Sequence, residues 1–259
     1  MLTISVIIPV YNDADLLRSC LAAIAAQSRK ADEVIVVDNA STDASADVAR
    51  EAGARIVDEP RRGILFATSA GFNAATGDIF ARLDADSVPS ATWLEDIERD
   101  FELQPEASAV TGWASFYGGT AFSRWFGRYC YLGAYFTIVA FLLGHAPLFG
   151  SNFALRSEAW QRMRDGVHLG RNYVHDDLDL SYRIRPDMPV VFDRNLGMSI
   201  SARPFDTWTG FARRVGWGFA TVLVNEREQP FWRRRAARRR HGLTDVPLAP
   251  GRRARAGRD

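Results

Sequence analysis

The sequence predicts an α/β fold in which helices flank a doubly wound, mostly parallel β-sheet. Residues 3–10 are β-branched and nearly all apolar, which is typical of a strand buried on both faces of a parallel sheet. Strand and helix patterns then alternate, with short links, as far as Asp84. Polar residues follow three of these strands, and doubly wound sheets bind ligands at that edge. We therefore expect a ligand site at the carboxyl ends of the strands.

Each element follows from a local pattern. Asn12 or Asp13 can cap a helix that runs to Gln27 with one apolar face. Ser41 or Thr42 can cap the next helix, which ends before a glycine. The other predicted elements are strands at 33–38, 54–58, 78–84, 108–113, 150–156, 189–192 and 198–202, and helices at 64–76, 92–102, from 157, from about 176 and at 206–228.

The stretch Ile79–Ser87 is the centre of the functional prediction. An apolar run ends in Asp84 and Asp86, and on a strand these two side chains would point to the same side. Two carboxylates so placed repel each other unless a cation lies between them. Oxygen ligands of this kind suit Mg²⁺ or Mn²⁺. Because Asp-x-Asp is a short string, a solvated turn is the alternative.

A second acidic cluster lies at 176–179, at a predicted helix start. The helix dipole alone favours acids there. Arg183 follows Asp179 by four residues and could pair with it on one helix face. Asp177 has no such local partner.

The loop after the first strand, VYNDAD at 10–15, lacks the glycines of a nicotinamide-dinucleotide site and excludes that class of protein.

Bulk composition bounds the architecture. With 259 residues the chain can form one large α/β domain or two small ones. The N-terminal residues show no basic leader or cleavage site, so we expect no signal peptide. Cys20 and Cys130 have no metal-binding or redox spacing and are expected to be buried thiols in a reducing compartment.

Charge is distributed unevenly. Residues 231–259 contain ten Arg and two Asp, a charge of +8, so a net charge of +1 leaves about −7 for the first 230 residues. Such a tail is usually a solvated arm, but it can dock on acidic lipid or nucleic acid. Phe231 and Trp232 before the arginines suit a membrane-surface helix. From about Thr244 the composition predicts disorder.

An uncharged segment lies between Arg128 and Arg156, and its apolar core spans residues 130–143. A membrane span needs roughly 20 residues, so this core is short for one. We predict a buried or interfacial helix at 129–149, with a true span as the alternative.

Six motifs in order resemble family 2 glycosyltransferases with the GT-A fold, over roughly residues 3–205. Each is short, and their order and spacing carry the resemblance. They are VIIPVYN at 6–12, VVDNASTD at 36–43, AATGD at 74–78, LDAD at 83–86, GSNFA at 150–154 and DDLDLSYR at 176–183.

The resemblance implies inverting transfer of a sugar from a nucleotide-diphosphate donor, which could be a UDP-, GDP- or dTDP-sugar. It implies a glycosyltransferase domain at 1–205, a helical, basic, membrane-proximal extension at 206–243 and a disordered tail at 244–259. The implied nucleoside contacts are Pro9, Tyr11, Asn12 and Asp38. Asp84 is implied at the ribose or metal-bound waters, and Asp86 is implied as a ligand of Mg²⁺ or Mn²⁺. Asp177 is implied as the general base, and Arg183 is implied beside the acidic cluster or the leaving diphosphate.

One motif departs from the family. Many relatives have Arg-Asn where this chain has Thr68-Ser69, so Arg61 or Arg62 could supply the missing charge, or the donor differs. The apolar segment and basic tail look like those of enzymes that act on lipid-linked or cell-envelope glycan acceptors. The resemblance thus implies a cytoplasmic enzyme, peripheral at the inner face of the membrane in contact with acidic lipids, with no nucleic-acid partner.

Two alternatives stay open. A nucleotidyltransferase on a similar sheet would need a basic triphosphate loop near the first strand, where the nearest base, Arg18, lies a turn into the helix. A non-catalytic membrane-binding or nucleic-acid-binding protein would act through its tail, although the intact set of acids argues against loss of catalysis.

Overall fold

The computed structural model describes residues 1–171, 173–205 and 207–243. Its strands are β1 (Ile4–Val10), β2 (Glu33–Asp38), β3 (Arg55–Asp58), β4 (Ile79–Arg82), β5 (Ser87–Pro89), β6 (Ala109–Gly112), β7 (Ser115–Tyr117), β8 (Phe153–Arg156), β9 (Val190–Asp193) and β10 (Met198–Ser201). Its helices are α1 (Ala14–Ala25), α2 (Ser45–Glu51), α3 (Ile64–Ala74), α4 (Trp93–Leu103), α5 (Ala121–Leu143), α6 (Ser157–Met163), α7 (Asp176–Arg183), α8 (Trp208–Glu228) and α9 (Phe231–Arg240).

A seven-stranded sheet forms the centre, in the order β3-β2-β1-β4-β8-β6-β9. Only β8 runs antiparallel to its neighbours there. Every residue of β1 is buried, because alternate side chains enter two different cores. Val6 and Ile8 pack with α1, while Ile7 packs with α3 on the other face. The predicted fold class, a doubly wound, mostly parallel α/β sheet, is therefore confirmed.

The segment with the two aspartates differs from its prediction. Strand β4 ends at Arg82, so Asp84 and Asp86 lie in the turn that leads into β5 rather than on a strand. The Ser87 amide donates to the Asp84 carbonyl at 3.0 Å and closes that turn. Strand β5 belongs to a second, three-stranded sheet in the order β5-β10-β7. This small sheet places the end of β10 beside the turn.

Neither predicted helix cap forms. The N-terminus of α1 follows Asp13, whose side chain does not cap it, and α2 begins only at Ser45. Ser41 and Thr42 instead contact Asn12, because the loops after β1 and β2 lie next to each other.

Helix α5 is longer than its apolar core predicts. Its middle winds as a π-helix over Gly127–Leu132 and Tyr135–Val139. Within the described residues it alone is long and apolar enough to cross a membrane, and 28% of its most apolar window is buried. One side carries an exposed apolar stripe: Phe122, Trp125, Tyr129, Ile138 and Phe141. Cys130 is also exposed, so the prediction of a buried thiol is wrong there and right for Cys20.

The C-terminal helices pack onto the domain rather than extending from it. In α9 the arginines 234 and 238 are buried. Arg238 donates from Nε to the Gly144 carbonyl at 3.0 Å, and Arg234 stacks on the Tyr182 ring at 4.4 Å. Part of the basic extension is thus structural, which its charge alone did not predict. The predicted disordered tail at 244–259 lies outside the described residues.

Candidate active site

A cavity of about 480 Å³ opens at the carboxyl ends of β1 and β4. The N-terminus of α7, the start of α8 and the turn at 203–205 close its other sides. Of the sequence-predicted site residues, those that line it are Pro9, Tyr11, Asp84, Asp86 and Asp177. The structure therefore brings the two predicted acidic motifs, almost a hundred residues apart in the chain, into one cavity.

Asn12 and Asp38 shape the loops at this edge and are not among the lining residues. Asn12 adopts a positive φ of 49°, and its Oδ1 accepts from the Thr42 amide at 2.7 Å. Asp38 Oδ1 accepts from the Ser41 amide at 3.0 Å. Both side chains thus stabilise turns beside Tyr11.

Sequence reasoning missed Asn39. This buried side chain donates from Nδ2 to the carbonyls of Glu59 and Arg61, at 2.9 and 2.7 Å, and accepts from the Gly63 amide at 2.8 Å. It therefore fixes the loop that leads into α3, whose first residues line the cavity. The sequence signal for this role is that Asn39 directly follows the end of β2, at the edge of the sheet where the ligand site is expected.

The two arginines considered as replacements for the missing family arginine are both engaged. Arg61 binds Glu59 through two parallel hydrogen bonds of 2.8 and 2.7 Å. Arg62 stacks on the ring of Tyr11, with its guanidinium carbon 3.3 Å from the centroid. Both therefore contact a cavity-lining residue, because Arg61 also lies over the ring of Phe66, 4.6 Å from its centroid.

Arg82, the last residue of β4, is a fully buried cation at the centre of the site. Its Nη1 lies 2.9 Å from Asp84 Oδ1, and its Nη2 donates to Asp176 Oδ2 at 2.9 Å. Asp176 also accepts from Thr68 Oγ1 at 3.2 Å. A buried charge needs such partners, since desolvation otherwise costs several kcal/mol. Arg82 was the one charged residue in an otherwise apolar strand, and that signal was overlooked.

Asp86 contacts a second arginine. Arg203 donates from Nη2 to Asp86 Oδ2 at 3.1 Å and to Asp13 Oδ2 at 2.6 Å. The pKa of Asp86 is nevertheless raised to about 6, first by burial and then by the charge of Asp84. The contact with Arg203 therefore does not fully offset the effects of burial and of Asp84 on the Asp86 carboxylate.

Asp84 faces the same space. Its Oδ2 accepts from Ser151 Oγ at 2.5 Å, while Oδ1 faces Arg82. Among the described residues, five carboxylates line the cavity (Asp13, Asp84, Asp86, Asp176 and Asp177), and the arginines that contact them are Arg82 and Arg203. An excess of hard oxygen ligands of this kind fits a divalent cation.

Asp177 lies opposite this pair, in the first turn of α7. Its Oδ2 accepts from the Gly150 amide at 2.9 Å, and its Oδ1 accepts from the Leu178 amide at 2.7 Å. Burial raises its pKa, as does the neighbouring charge of Asp176, while His175 opposes the shift. A Cβ on Gly150 would lie 2.7 Å from Arg82 Nη1 and 3.2 Å from Asp177 Oδ2, so only glycine lets both approach.

Arg183 does not line the cavity, although its predicted pairing with Asp179 on one helix face is observed. It is at the far end of α7, where it bonds to Asn225 and pairs with Glu228 at 3.2 Å. Asp179, which lies 3.9 Å from Arg183, accepts hydrogen bonds from the ring and amide of His168. Asp179 and Arg183 share one helix face, because they are four residues apart. Both contact residues of α8, so this end of α7 packs against α8 and not against the cavity.

Another group of possible metal ligands is His175, Asp176 and Asp177, whose ligand atoms lie within 4.8 Å of one another. Asp176 is already bound by Arg82 and Thr68. Of this group, His175 and Asp177 are therefore the two residues that could still act as metal ligands.

The fold is a doubly wound α/β sheet with an acidic cavity at its ligand edge, and comparison with known proteins identifies the family. The sequence model described as Glycosyl transferase family 2 matches residues 5–163. The chain belongs to this family.

Relatives support the same assignment. The glycosyltransferase AglE of Haloferax volcanii is 36% identical over 100 residues, covering 36% of this chain and 33% of the relative. The undecaprenyl-phosphate 4-deoxy-4-formamido-L-arabinose transferase of Edwardsiella ictaluri is 39% identical over 94 residues, covering 32% of this chain and 29% of the relative. The chain thus matches only about a third of the length of these two relatives.

The fold has solved counterparts. The mannosyltransferase PcManGT of Pyrobaculum calidifontis, in complex with GDP-Man and Mn²⁺, superposes with a TM-score of 0.64 at 21% identity. The match covers 93% of this chain and 73% of that protein. At this identity the likeness establishes the GT-A fold.

Proposed function

We propose that this chain is an inverting glycosyltransferase that moves a sugar from a nucleoside-diphosphate sugar to an acceptor hydroxyl. One observation carries the proposal: Asp84 and Asp86 line the same cavity as Asp177, at the ligand edge of the sheet. The excess of carboxylates fits a metal–diphosphate group, and a single further carboxylate can serve as base. Inversion needs only one such base and no covalent intermediate.

We assign the cation site to Asp86, with Asp84 beside it. Mg²⁺ or Mn²⁺, when bound with the donor, neutralises the charge that develops on the leaving diphosphate. Both aspartates offer the hard oxygen ligands that these ions prefer. The Mn²⁺ in the structure of PcManGT supports this assignment. Pro9 and Tyr11 line the cavity next to this pair and are assigned to the nucleoside.

We assign the general base to Asp177. Two backbone amides hold its carboxylate, and burial with Asp176 raises its pKa. A base is most effective when its pKa lies near the working pH, so this shift suits proton removal from a hydroxyl. His175, Tyr131 and Trp217 line the cavity together with Asp177 and border the space where the acceptor would lie.

The test compares Asp177→Asn and Asp86→Asn with wild type. Asp177→Asn should keep metal-dependent donor binding in calorimetry and lose sugar transfer by a factor of at least about 100. Asp86→Asn should lose the metal dependence of donor binding. Release of a nucleoside diphosphate, and not pyrophosphate, separates this reaction from nucleotidyl transfer. Full turnover by Asp177→Asn would remove Asp177 from the base role.

We also infer that the enzyme acts at the cytoplasmic face of the membrane, on a lipid-linked or cell-envelope acceptor. The exposed stripe of α5 supports this, with Phe122 70% and Tyr129 62% exposed. Helix α9 begins against the end of that stripe, through a Phe141–Phe231 ring contact of 5.8 Å, and adds the exposed Trp232 and Arg233. Aromatic side chains flanked by arginines suit an acidic lipid surface. The lipid-phosphate substrate in the name of the Edwardsiella relative is consistent with this.

Vesicle sedimentation tests the membrane proposal. Changing Phe122, Trp125 and Tyr129 together to Ser should reduce binding to vesicles with acidic lipid several-fold, because these side chains supply most of the apolar contact. Leu103→Ser is the control, since Leu103 is 72% exposed at the end of α4, outside the stripe. Deleting 231–259 is a poor test because Arg234 and Arg238 are buried in the domain. Equal binding by the triple variant and wild type would contradict the membrane role.

A further inference from the structure

The outer end of the cavity has the opposite charge to its floor. Arg171, Arg213 and Arg214 line it, the last two from the start of α8. Within the described residues, no carboxylate pairs with any of these three side chains. The cavity's other two arginines, Arg82 and Arg203, each contact two carboxylates. These three arginines therefore add positive charge to the cavity lining that no carboxylate of the described residues pairs with.

The position of this cluster is next to the proposed base and not next to the proposed cation site. The Arg214 carbonyl lies 3.2 Å from His175 Nε2, and His175 Nδ1 lies 3.9 Å from Asp177 Oδ1. Arg213 lies over the ring of Trp217, 5.4 Å from its centroid. Trp217 in turn contacts the His175 ring at a centroid distance of 6.2 Å. Arg213 and Arg214 thus belong to the side of the cavity that contains His175, Trp217 and the proposed base, and Arg171 lines the same cavity.

We propose that Arg171, Arg213 and Arg214 form an acceptor subsite for a phosphate monoester. Guanidinium groups bind phosphate through two parallel hydrogen bonds, and a dianionic phosphate can engage more than one of them. The proposal rests on the proposed function, because it takes Asp177 as the base that faces the acceptor. It adds that the acceptor carries a phosphate within reach of that base.

The phosphate could belong to a lipid or to a small soluble molecule, and the surroundings favour the lipid. Tyr131, Phe205 and Trp217 line the cavity at the same end, and Phe211 contacts both Tyr131 and Phe205 at 5.9 and 5.7 Å. Phe211 also contacts Phe126 of α5, at 6.1 Å. Aromatic side chains therefore connect the arginine cluster to the helix that carries the exposed stripe.

The experiment measures binding of two phosphate probes and their neutral alcohols to the full chain. The probes are farnesyl phosphate in detergent against farnesol, and glycerol 3-phosphate against glycerol. We expect wild type to bind farnesyl phosphate at least tenfold more tightly than farnesol. Arg213→Ala with Arg214→Ala should abolish this preference, and the double Lys variant should retain part of it. Preference for glycerol 3-phosphate instead would keep the subsite and assign it to a soluble acceptor.

The control is Arg227→Ala, an exposed arginine near the other end of α8 that does not line the cavity. It should bind all probes as wild type does. In parallel, calorimetry with UDP, GDP and dTDP in Mn²⁺ reports the donor site. Weaker nucleotide binding in the Ala double variant would assign the arginines to the donor and overturn the proposal, as would equal binding of phosphate and alcohol by wild type. Absence of nucleotide binding in wild type would instead count against the proposed function.

Discussion

Arg203 gives the proposed cation site an internal counter-charge. Its guanidinium contacts both Asp13 and Asp86, and it comes from the turn after β10, 117 positions beyond Asp86 in sequence. A divalent ion and a guanidinium cannot share one carboxylate at full strength, because like charges a few ångströms apart repel by several kcal/mol at low effective dielectric. We therefore expect Arg203 to compete with a bound ion for Asp86.

Removing this competitor should strengthen cation binding. We expect Arg203→Ala to bind Mn²⁺ about tenfold more tightly than wild type in the absence of nucleotide, because a neighbouring positive charge is lost. Isothermal titration with Mn²⁺ alone measures this. Arg162→Ala is the control, since Arg162 pairs with Asp187 outside the cavity. Weaker Mn²⁺ binding by Arg203→Ala would mean that Arg203 orients the carboxylates for the ion.

Helix α3 packs against the central sheet through a glycine. A Cβ on Gly71 would lie 2.5 Å from Ile7 Cγ2 and 2.9 Å from Val37 Cγ2, distances that side-chain packing does not permit. The helix must approach this closely because its first turn lines the cavity and Thr68 reaches Asp176. The packing of one element on the sheet thus determines the wall of the site.

Gly71→Ala should therefore destabilise the protein by about 1–3 kcal/mol, through overpacking of the β1–α3 contact. Gly216→Ala is the matched control, because Gly216 lies in α8 with open space around the added methyl group. That change should stabilise by up to about 1 kcal/mol, from helix propensity alone. Denaturant unfolding midpoints measure both. A Gly71→Ala protein as stable as wild type would show that the sheet yields to the methyl group.

Elements with strong local patterns could be predicted from the sequence, and those fixed by distant contacts could not. Strand β2 was predicted at its observed bounds, because EVIVVD is a buried apolar run with polar ends. Strands β5 and β7 have three residues each, too few for any periodicity, and they form only by pairing with β10.

The candidate site shows the same limit. The motifs with Asp86 and Asp177 predicted acidic positions at one edge. The Arg82–Asp176 contact spans 94 positions and the Arg203–Asp86 contact spans 117, so no local pattern predicts the partners of either arginine. The i,i+4 spacing predicted the pairing of Arg183 with Asp179, but such a pattern does not say which element that helix turn faces.

The stability of the protein depends on pH through another group of acids, Asp96, Asp100 and Asp193, which surround Arg99. Asp100 of α4 is buried near Asp193, and its pKa is raised to about 7, first by burial and then by the charge of Asp193. In the unfolded chain its pKa would be near 3.8. The folded state therefore binds a proton that the unfolded state releases between these values, so stability falls as pH rises from about 4 to about 7.

Asp100→Asn should remove this dependence, because the amide is neutral at every pH. We expect the variant to be more stable than wild type at pH 8 by about 1 kcal/mol, allowing for solvent screening, and nearly equal at pH 4. Chemical unfolding at several pH values measures the difference. Asp165→Asn serves as control, since that side chain is 97% exposed. Parallel pH profiles for Asp100→Asn and wild type would contradict the assignment.

The buried guanidinium of Arg82 has a kinetic consequence. It contacts Asp84 on the donor side and Asp176 next to Asp177, so one charge balances both halves of the cavity. Burial and the charge of Asp176 raise the pKa of Asp177, and a positive charge that enters the cavity favours the ionised carboxylate. We therefore expect the donor with its cation to lower that pKa and to increase the basic form of Asp177. The enzyme would then follow an ordered sequence, donor before acceptor, with little futile hydrolysis; product-inhibition patterns typical of random addition would argue against this.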